Sequence, residues 1–132
     1  MEKEVSSLAL AYLGDAVLEI HIRDYVIRMG KTKIDQLHRS AVRFVNAKAQ
    51  SKVYDSIQGM LNEDELVIIR KGRNAKKNIP KNVEMVDYRK STGVEALLGY
   101  LFLKGDNDRI DELVNYIIST IEGSESNENR ES

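Results

Sequence analysis

Apolar residues return at helical intervals along most of the chain. After Ser6 and Ser7, which suit a helix N-cap, Leu10, Leu13, Val17, Ile20 and Ile27 follow at spacings of three, four, three and seven. The pattern predicts a first helix over about 8–29, stopped by Gly30. Its first half is apolar around much of its circumference, which places it centrally in the fold. Thr32 reads as the cap of a second helix through Asp35, Leu37, Ala41 and Phe44. Asn46 opens a third, with Ala49, Val53 and Ile57 inward and Gly59 near its end. Asn62-Glu63-Asp64-Glu65 has the form of a capping box ahead of Leu66, Val67, Ile68 and Ile69, so this short apolar run reads as helix rather than buried strand. Residues 70–90 have poor periodicity and contain Pro80, which predicts a long loop. Another apolar helix is predicted over about 92–103, ended by Gly105. Asp106 to Asp108 cap a last helix with Ile110, Leu113, Ile117 and Ile121 on its inner face. From Gly123 onward GSESNENRES has no apolar residue and predicts disorder. The pattern describes one all-α domain over 4–121 and a disordered tail over 122–132.

Composition narrows the function classes. The 132 residues include 20 Lys plus Arg and 21 Asp plus Glu, so net charge points to no partner. Cysteine is absent, which excludes disulfides, thiolate metal ligands and a thiol nucleophile. No apolar run reaches 18 residues, so no membrane helix is expected. The N-terminus lacks the basic start and small-residue cleavage site of a secretory signal, and the expectation is a soluble, intracellular domain. One proline and eight glycines are too few turn residues for a multi-stranded sandwich.

Two acids stand out by their surroundings. Asp15 is the only charged residue from Val5 to Leu18, and Glu95 the only one from Ser91 to Leu103. An unpaired carboxylate at the centre of a fold is costly, so each needs a cation, a hydrogen-bond donor or a route to water. Gly14 adjoins Asp15, and Gly93 and Gly99 flank Glu95. A helical glycine costs about 1 kcal/mol relative to alanine and often marks a close backbone approach. The expectation is that the two helices cross at these glycines and that the two carboxylates share a hydrated Mg²⁺. A purely structural role fits the same residues: Thr92-Gly93-Val94-Glu95 also has the form of a capping box, and Asp15 has the option of an Arg or Lys partner.

The basic residues are separated from these acids. Residues 70–81 hold Arg70, Lys71, Arg73, Lys76, Lys77 and Lys81 and no acid. Between Gln36 and Tyr54 lie Arg39, Arg43, Lys48 and Lys52, again with no acid, and each pair is four apart on one helix face. A basic loop whose backbone is loosened by Gly72, Asn74 and Asn78 suits phosphate contacts; a solvated charged loop is the plain alternative. Lys and Arg alone do not separate RNA from DNA. Glu19, four after Asp15, reads either as an outer acid of that site or as a solvated helix charge. His21 and His38 are the only histidines, and Tyr12, Tyr88 and Tyr100 read as packing residues.

These residues carry a family resemblance. Ala11-Tyr12-Leu13-Gly14-Asp15-Ala16-Val17-Leu18-Glu19 resembles the signature helix of ribonuclease III, and Thr92-Gly93-Val94-Glu95-Ala96-Leu97-Leu98-Gly99 resembles its second acidic motif. The order and separation of the two fit as well. With the RKGRNAKK segment, the chain is most similar to the short bacterial branch that lacks a separate double-stranded-RNA-binding domain. The resemblance implies a ribonuclease III endonuclease-domain helical bundle, working as a homodimer. It implies Mg²⁺-dependent cleavage of double-stranded RNA to 5′-phosphate and 3′-hydroxyl ends, and maturation of the 23S ribosomal RNA precursor in the cytoplasm, with ribosomal-protein-bound RNA as a possible substrate. Asp15 and Glu95 carry over as the catalytic and metal-binding acids. Arg70, Lys71, Arg73, Asn74, Lys76 and Lys77 carry over as RNA contacts. Longer members carry further acids four before the first motif's Asp and three before the second motif's Glu; here those positions are Ala11 and Thr92. With fewer carboxylates, substrate phosphates are left to complete the coordination. The departures also keep open a non-catalytic duplex-binding module, and a helical protein-interaction domain is the remaining alternative.

Overall fold

The protein is seen in a computed structural model that describes residues 4–75, 78, 81 and 83–131, the last six as backbone only. Helices account for all its regular structure among the described residues. They are α1 (Ser7–Arg28), α2 (Ile34–Val45), α3 (Ala47–Ile57), a 3₁₀ turn (Gln58–Met60), α4 (Glu63–Asn74), α5 (Met85–Lys104) and α6 (Asn107–Glu131).

Local signals in the sequence set most of these boundaries. The Ser6 side chain accepts from the Ala9 amide and Asn46 from the Ala49 amide, each satisfying an orphan donor at a helix start. Asn62 and Glu65 form a reciprocal capping box. Asp106 accepts from the Arg109 amide at the head of α6. Gly30 and Gly105 take positive φ, where a side chain is strained, and end α1 and α5. Thr32 is not a cap: α2 starts after Lys33, which makes no side-chain capping bond.

Helix α5 is the hub, packed against α1, α3 and α4 and more lightly against α6. Its Val94, Ala96, Leu97, Leu98 and Leu101 are buried, as are Val17, Leu18, Ile22 and Val26 of α1. Ile110, Leu113, Ile117 and Ile121 close the core from α6, as their spacing predicts. An ion pair with a buried carboxylate ties the start of α4 to the start of α6. Glu65 meets Arg109 through two hydrogen bonds of 2.8 and 2.9 Å, and Arg109 also donates to the Met60 carbonyl. The guanidinium holds the Glu65 carboxyl below the ordinary glutamate value.

Three sequence expectations are corrected. The 70–90 loop is shorter, because α4 runs on to Asn74 and α5 begins at Met85. Ser91 and Thr92 are therefore mid-helix, their hydroxyls bonded back to the Tyr88 carbonyl, and Glu95 is not in a capping box. Helix α6 continues to Glu131, through most of the stretch for which composition predicts disorder. Its extension is held by polar contacts that composition does not show: Tyr25 with Glu122, and Arg43 with Glu125. Ile20 and Ile27 follow the helical period but are exposed, since the core meets α1 through Val17, Leu18, Ile22 and Val26 instead.

Candidate active site

The two acidic motifs meet where α1 crosses α5. A methyl group built on Gly14 overlaps the Glu95 carbonyl and lies 2.9 Å from the Gly99 amide nitrogen. One built on Gly99 overlaps the Leu10 carbonyl and lies 3.1 Å from the Gly14 nitrogen. The two helices thus touch backbone to backbone, which only hydrogen at both Cα positions permits. The crossing at glycines that the sequence predicts is present.

Asp15, next to that contact on α1, is exposed, and Glu95 on α5 is half-buried. This corrects the premise that both acids sit in an apolar interior: Asp15 has its own route to water. Ala11 and Thr92, where longer family members carry acids, are both buried. Ala11 packs in a small cluster with Leu10 and Ala96. Among the described residues no group of three or more acids, histidines or cysteines is placed to hold a metal ion.

The basic segment is helical from Arg70 to Asn74. Arg70, Lys71, Arg73 and Asn74 are exposed residues of the last turns of α4, with Arg73 donating to Asn74 at 3.2 Å. Lys76 and Lys77 lie outside the described residues. Gly72 does not loosen a loop; it is buried, and a methyl there lies 2.8 Å from both the Gly93 Cα and the Ala96 Cβ. Gly93 in turn faces the Ile69 carbonyl. Sequence reading missed this contact, although Leu66, Ile69 and Gly72 continue one three-residue spacing. Its effect is to seat the basic end of α4 on the turn of α5 from Thr92 to Ala96, the turn that holds Glu95. Lys71 also lines a hollow with Ser6, Ser7 and Leu10 at the start of α1.

The remaining candidates separate. Glu19 accepts from Arg23 at 3.0 Å on an exposed stretch of α1. His21 bonds the Val17 carbonyl through Nδ1 at 2.8 Å, and His38 is exposed. Tyr88 and Tyr100 are half-buried, but Tyr12 is 86% exposed and does not pack within the chain.

Comparison with known proteins gives this arrangement a family. The ribonuclease III domain matches residues 8–106, which include both acidic motifs, and the chain belongs to the ribonuclease III family. It is 44% identical over 129 residues to the Mini-ribonuclease 3 of Enterococcus faecalis, covering 96% of each chain. It is 43% identical over 128 residues to that of Clostridium tetani, covering 96% of this chain and 85% of the relative. These matches set it in the Mini-ribonuclease 3 branch of the family. A crystal structure of a protein from Fusobacterium nucleatum superposes with a TM-score of 0.81 at 33% identity, covering 89% of this chain and 94% of that one. The all-α ribonuclease III fold is therefore shared as well as the sequence.

Proposed function

We propose that the protein is a Mg²⁺-dependent endoribonuclease that cleaves double-stranded RNA, with Asp15 and Glu95 as its metal-binding acids. The observation that carries the reading is the backbone contact between Gly14 and Glu95, which brings two acidic motifs eighty residues apart in sequence to one helix crossing.

The donor set fits the ion. Mg²⁺ takes oxygen ligands, keeps several waters and is commonly held by one or two carboxylates together with phosphate oxygens. Two carboxylates on helices in backbone contact, one of them exposed, supply that minimum. With Ala11 and Thr92 in place of further acids, water and substrate phosphate would have to supply the ion's other oxygen ligands. When bound, the ion supplies a water of lowered pKa and stabilises charge developing on the phosphate. The chain's own residues do the rest. Asp15, open to solvent, is accessible to a polyanion; Glu95, half-buried, is fixed by the helix contact beneath it. Arg70, Lys71 and Arg73 grip backbone phosphates and give affinity without sequence preference.

The same reading makes the active form a homodimer with one centre for each strand of an A-form duplex. Tyr12 at 86% and Ile20 at 67% exposure, on the helix that carries Asp15, support an apolar partner surface there. Precursor 23S ribosomal RNA in the cytoplasm is the substrate we assign, on the family resemblance. No described helix is long and apolar enough to cross a membrane.

The test is cleavage of long duplex RNA in Mg²⁺ and in chelator by the wild type and by Asp15→Asn. The expected result is cutting by the wild type in Mg²⁺ alone, with Asp15→Asn binding but not cutting. Full cleavage by Asp15→Asn removes the assignment. Duplex binding without cutting by the wild type under both conditions instead establishes the non-catalytic binding module, the reading that Ala11 and Thr92 favour.

A further inference from the structure

Helices α2 and α3 carry Arg39, Arg43, Lys48 and Lys52 in a stretch without an acid. The fold lays the acidic end of α6 against this face. Arg43 grips Glu125 in a bidentate pair, Nη2 to Oε1 at 2.6 Å and Nε to Oε2 at 2.9 Å. The Tyr25 hydroxyl donates to Glu122 at 2.6 Å, and Lys52 donates to the Ser124 hydroxyl at 3.4 Å. The last described side chains of α6 are thus bonded to α1, α2 and α3 at once. Between them is a cleft of about 190 Å³ lined by Arg43, Asn46, Lys48, Lys52, Ser124 and Glu125.

The chemistry of this contact is that of a phosphate site with a carboxylate in it. A guanidinium fork donates to phosphate in the same bidentate geometry as to a carboxylate. Arg43 is half exposed and Glu125 about one-third exposed, so the pair is wet and only weakly favourable, and a polyanion is able to displace it. We infer that the acidic end of α6, with Glu125 in the cleft and Glu122 bonded beside it to Tyr25, is an internal cover on a second phosphate-binding cleft, formed by Arg43 and Lys52, and that duplex RNA displaces it. The inference rests on the RNA reading above, but the cleft belongs to α2 and α3 and not to the basic turns of α4. The end of α6 then acts as a built-in competitor that lowers affinity until a duplex long enough to reach this face is bound.

The experiment uses the full chain in chelator, so that nothing is cut, and measures duplex-RNA affinity by fluorescence anisotropy across a salt series. The double variant Glu122→Gln with Glu125→Gln is expected to bind about three- to five-fold tighter at low salt, the scale of one exposed ion pair. Its plot of log affinity against log salt is expected to steepen by about one, for the phosphate that Arg43 now neutralises. Adding Arg43→Gln to that variant is expected to erase the gain. Hydrogen exchange of the unaltered protein supplies a second readout: duplex RNA should speed exchange of amides 119–125 while leaving those of α5 unchanged. Wild-type affinity in the double variant overturns the inference. So does a gain that survives Arg43→Gln, or slower exchange at 119–125 on adding RNA. If the wild type binds duplex RNA and the variant gains nothing, only the cover falls. If no form of the chain binds duplex RNA, the nuclease reading falls with it.

Discussion

Replacing Gly14 with alanine tests whether the crossing of α1 and α5 positions the candidate site. The new methyl carbon lies 2.5 Å from the Glu95 carbonyl carbon. Carbon atoms rest at about 3.5–4.0 Å, so one helix must retreat by at least about 1 Å. No side chain is available to give way, because the atoms struck are main chain on both sides. Overpacking that side chains relieve costs about 1–3 kcal/mol, and here the upper end or beyond applies. The intrinsic gain of alanine over glycine in a helix, about 1 kcal/mol, offsets part of this. The expected net loss is about 2–3 kcal/mol, read as a lower urea midpoint with an unchanged slope. Gly123→Ala is the control: it is helical with nothing within 4 Å of the added methyl, so it should leave stability equal or raise it by up to about 1 kcal/mol. The same displacement separates the helices bearing Asp15 and Glu95. A misplacement of about 1 Å costs on the order of 100-fold in rate, so cleavage by Gly14→Ala should fall by about that factor even where the variant is folded. A Gly14→Ala protein within about 0.5 kcal/mol of wild type refutes the contact as the device that fixes the site.

The buried pair of Glu65 and Arg109 gives a stability prediction with a pH signature. Glu65→Ala removes the capping box and leaves Arg109 with only Met60 and Glu112, so a loss of about 3 kcal/mol is expected in denaturant unfolding. The folded carboxyl of Glu65 titrates below its unfolded value, so its contribution is present above the unfolded pKa of about 4.3 and fades as pH falls through the lower folded value. Melting curves from pH 7 down to 3 should therefore show a steeper acid loss in the wild type than in Glu65→Ala; parallel curves contradict the assignment. Neutralising Arg70, Lys71 and Arg73 together should weaken duplex-RNA binding and flatten its salt dependence by up to about 2.7 in log–log slope. Since all three are exposed, thermal stability should hardly change, and an unaltered slope excludes the end of α4 as a phosphate contact.

Much of this was legible in the residues because the signals are local. Ser6, Asn46 and Asn62 mark helix starts by the short reach of a side-chain oxygen to an amide three positions on, which the sequence alone specifies. The inner face of α6 is equally local, one period repeated four times. The failures have non-local causes. Thr92 to Glu95 mimics a helix start, but α5 already begins at Met85, and Lys90 in that added stretch pairs with Asp55 of α3, a contact 35 residues away in sequence. Residues 123–131 lack any apolar residue, and what shapes their beginning is Arg43, 82 positions away from Glu125. Ile20 and Ile27 carry the right period for a core but face away from it. A period reports that a face is apolar, not whether the same chain covers it. At the candidate site, the crossing of the two acid-bearing helices at glycines was readable, while the exposure of Asp15 and the helical seat of Arg70, Lys71 and Arg73 were not.

Four buried helical glycines set the geometry of the candidate site. Gly14, Gly72, Gly93 and Gly99 each give up about 1 kcal/mol of helix propensity relative to alanine. None takes a positive φ, so none is required by a turn. What each removes is a Cβ from a place where another helix's main chain, or a methyl, already stands. Helices joined this way leave little freedom to slide or rotate, because carbonyls and amides have no rotamers to adjust. Asp15 directly follows one such contact and Glu95 supplies the carbonyl on its other side, so their Cα positions are fixed by rigid main chain rather than by side-chain packing. The Gly72–Gly93 contact does the same for the basic turn of α4. On the proposed reading, a cation held by only two carboxylates would have no spare ligand to correct a misplaced one, and that small count, with alanine and threonine in place of further acids, would make backbone-level precision necessary.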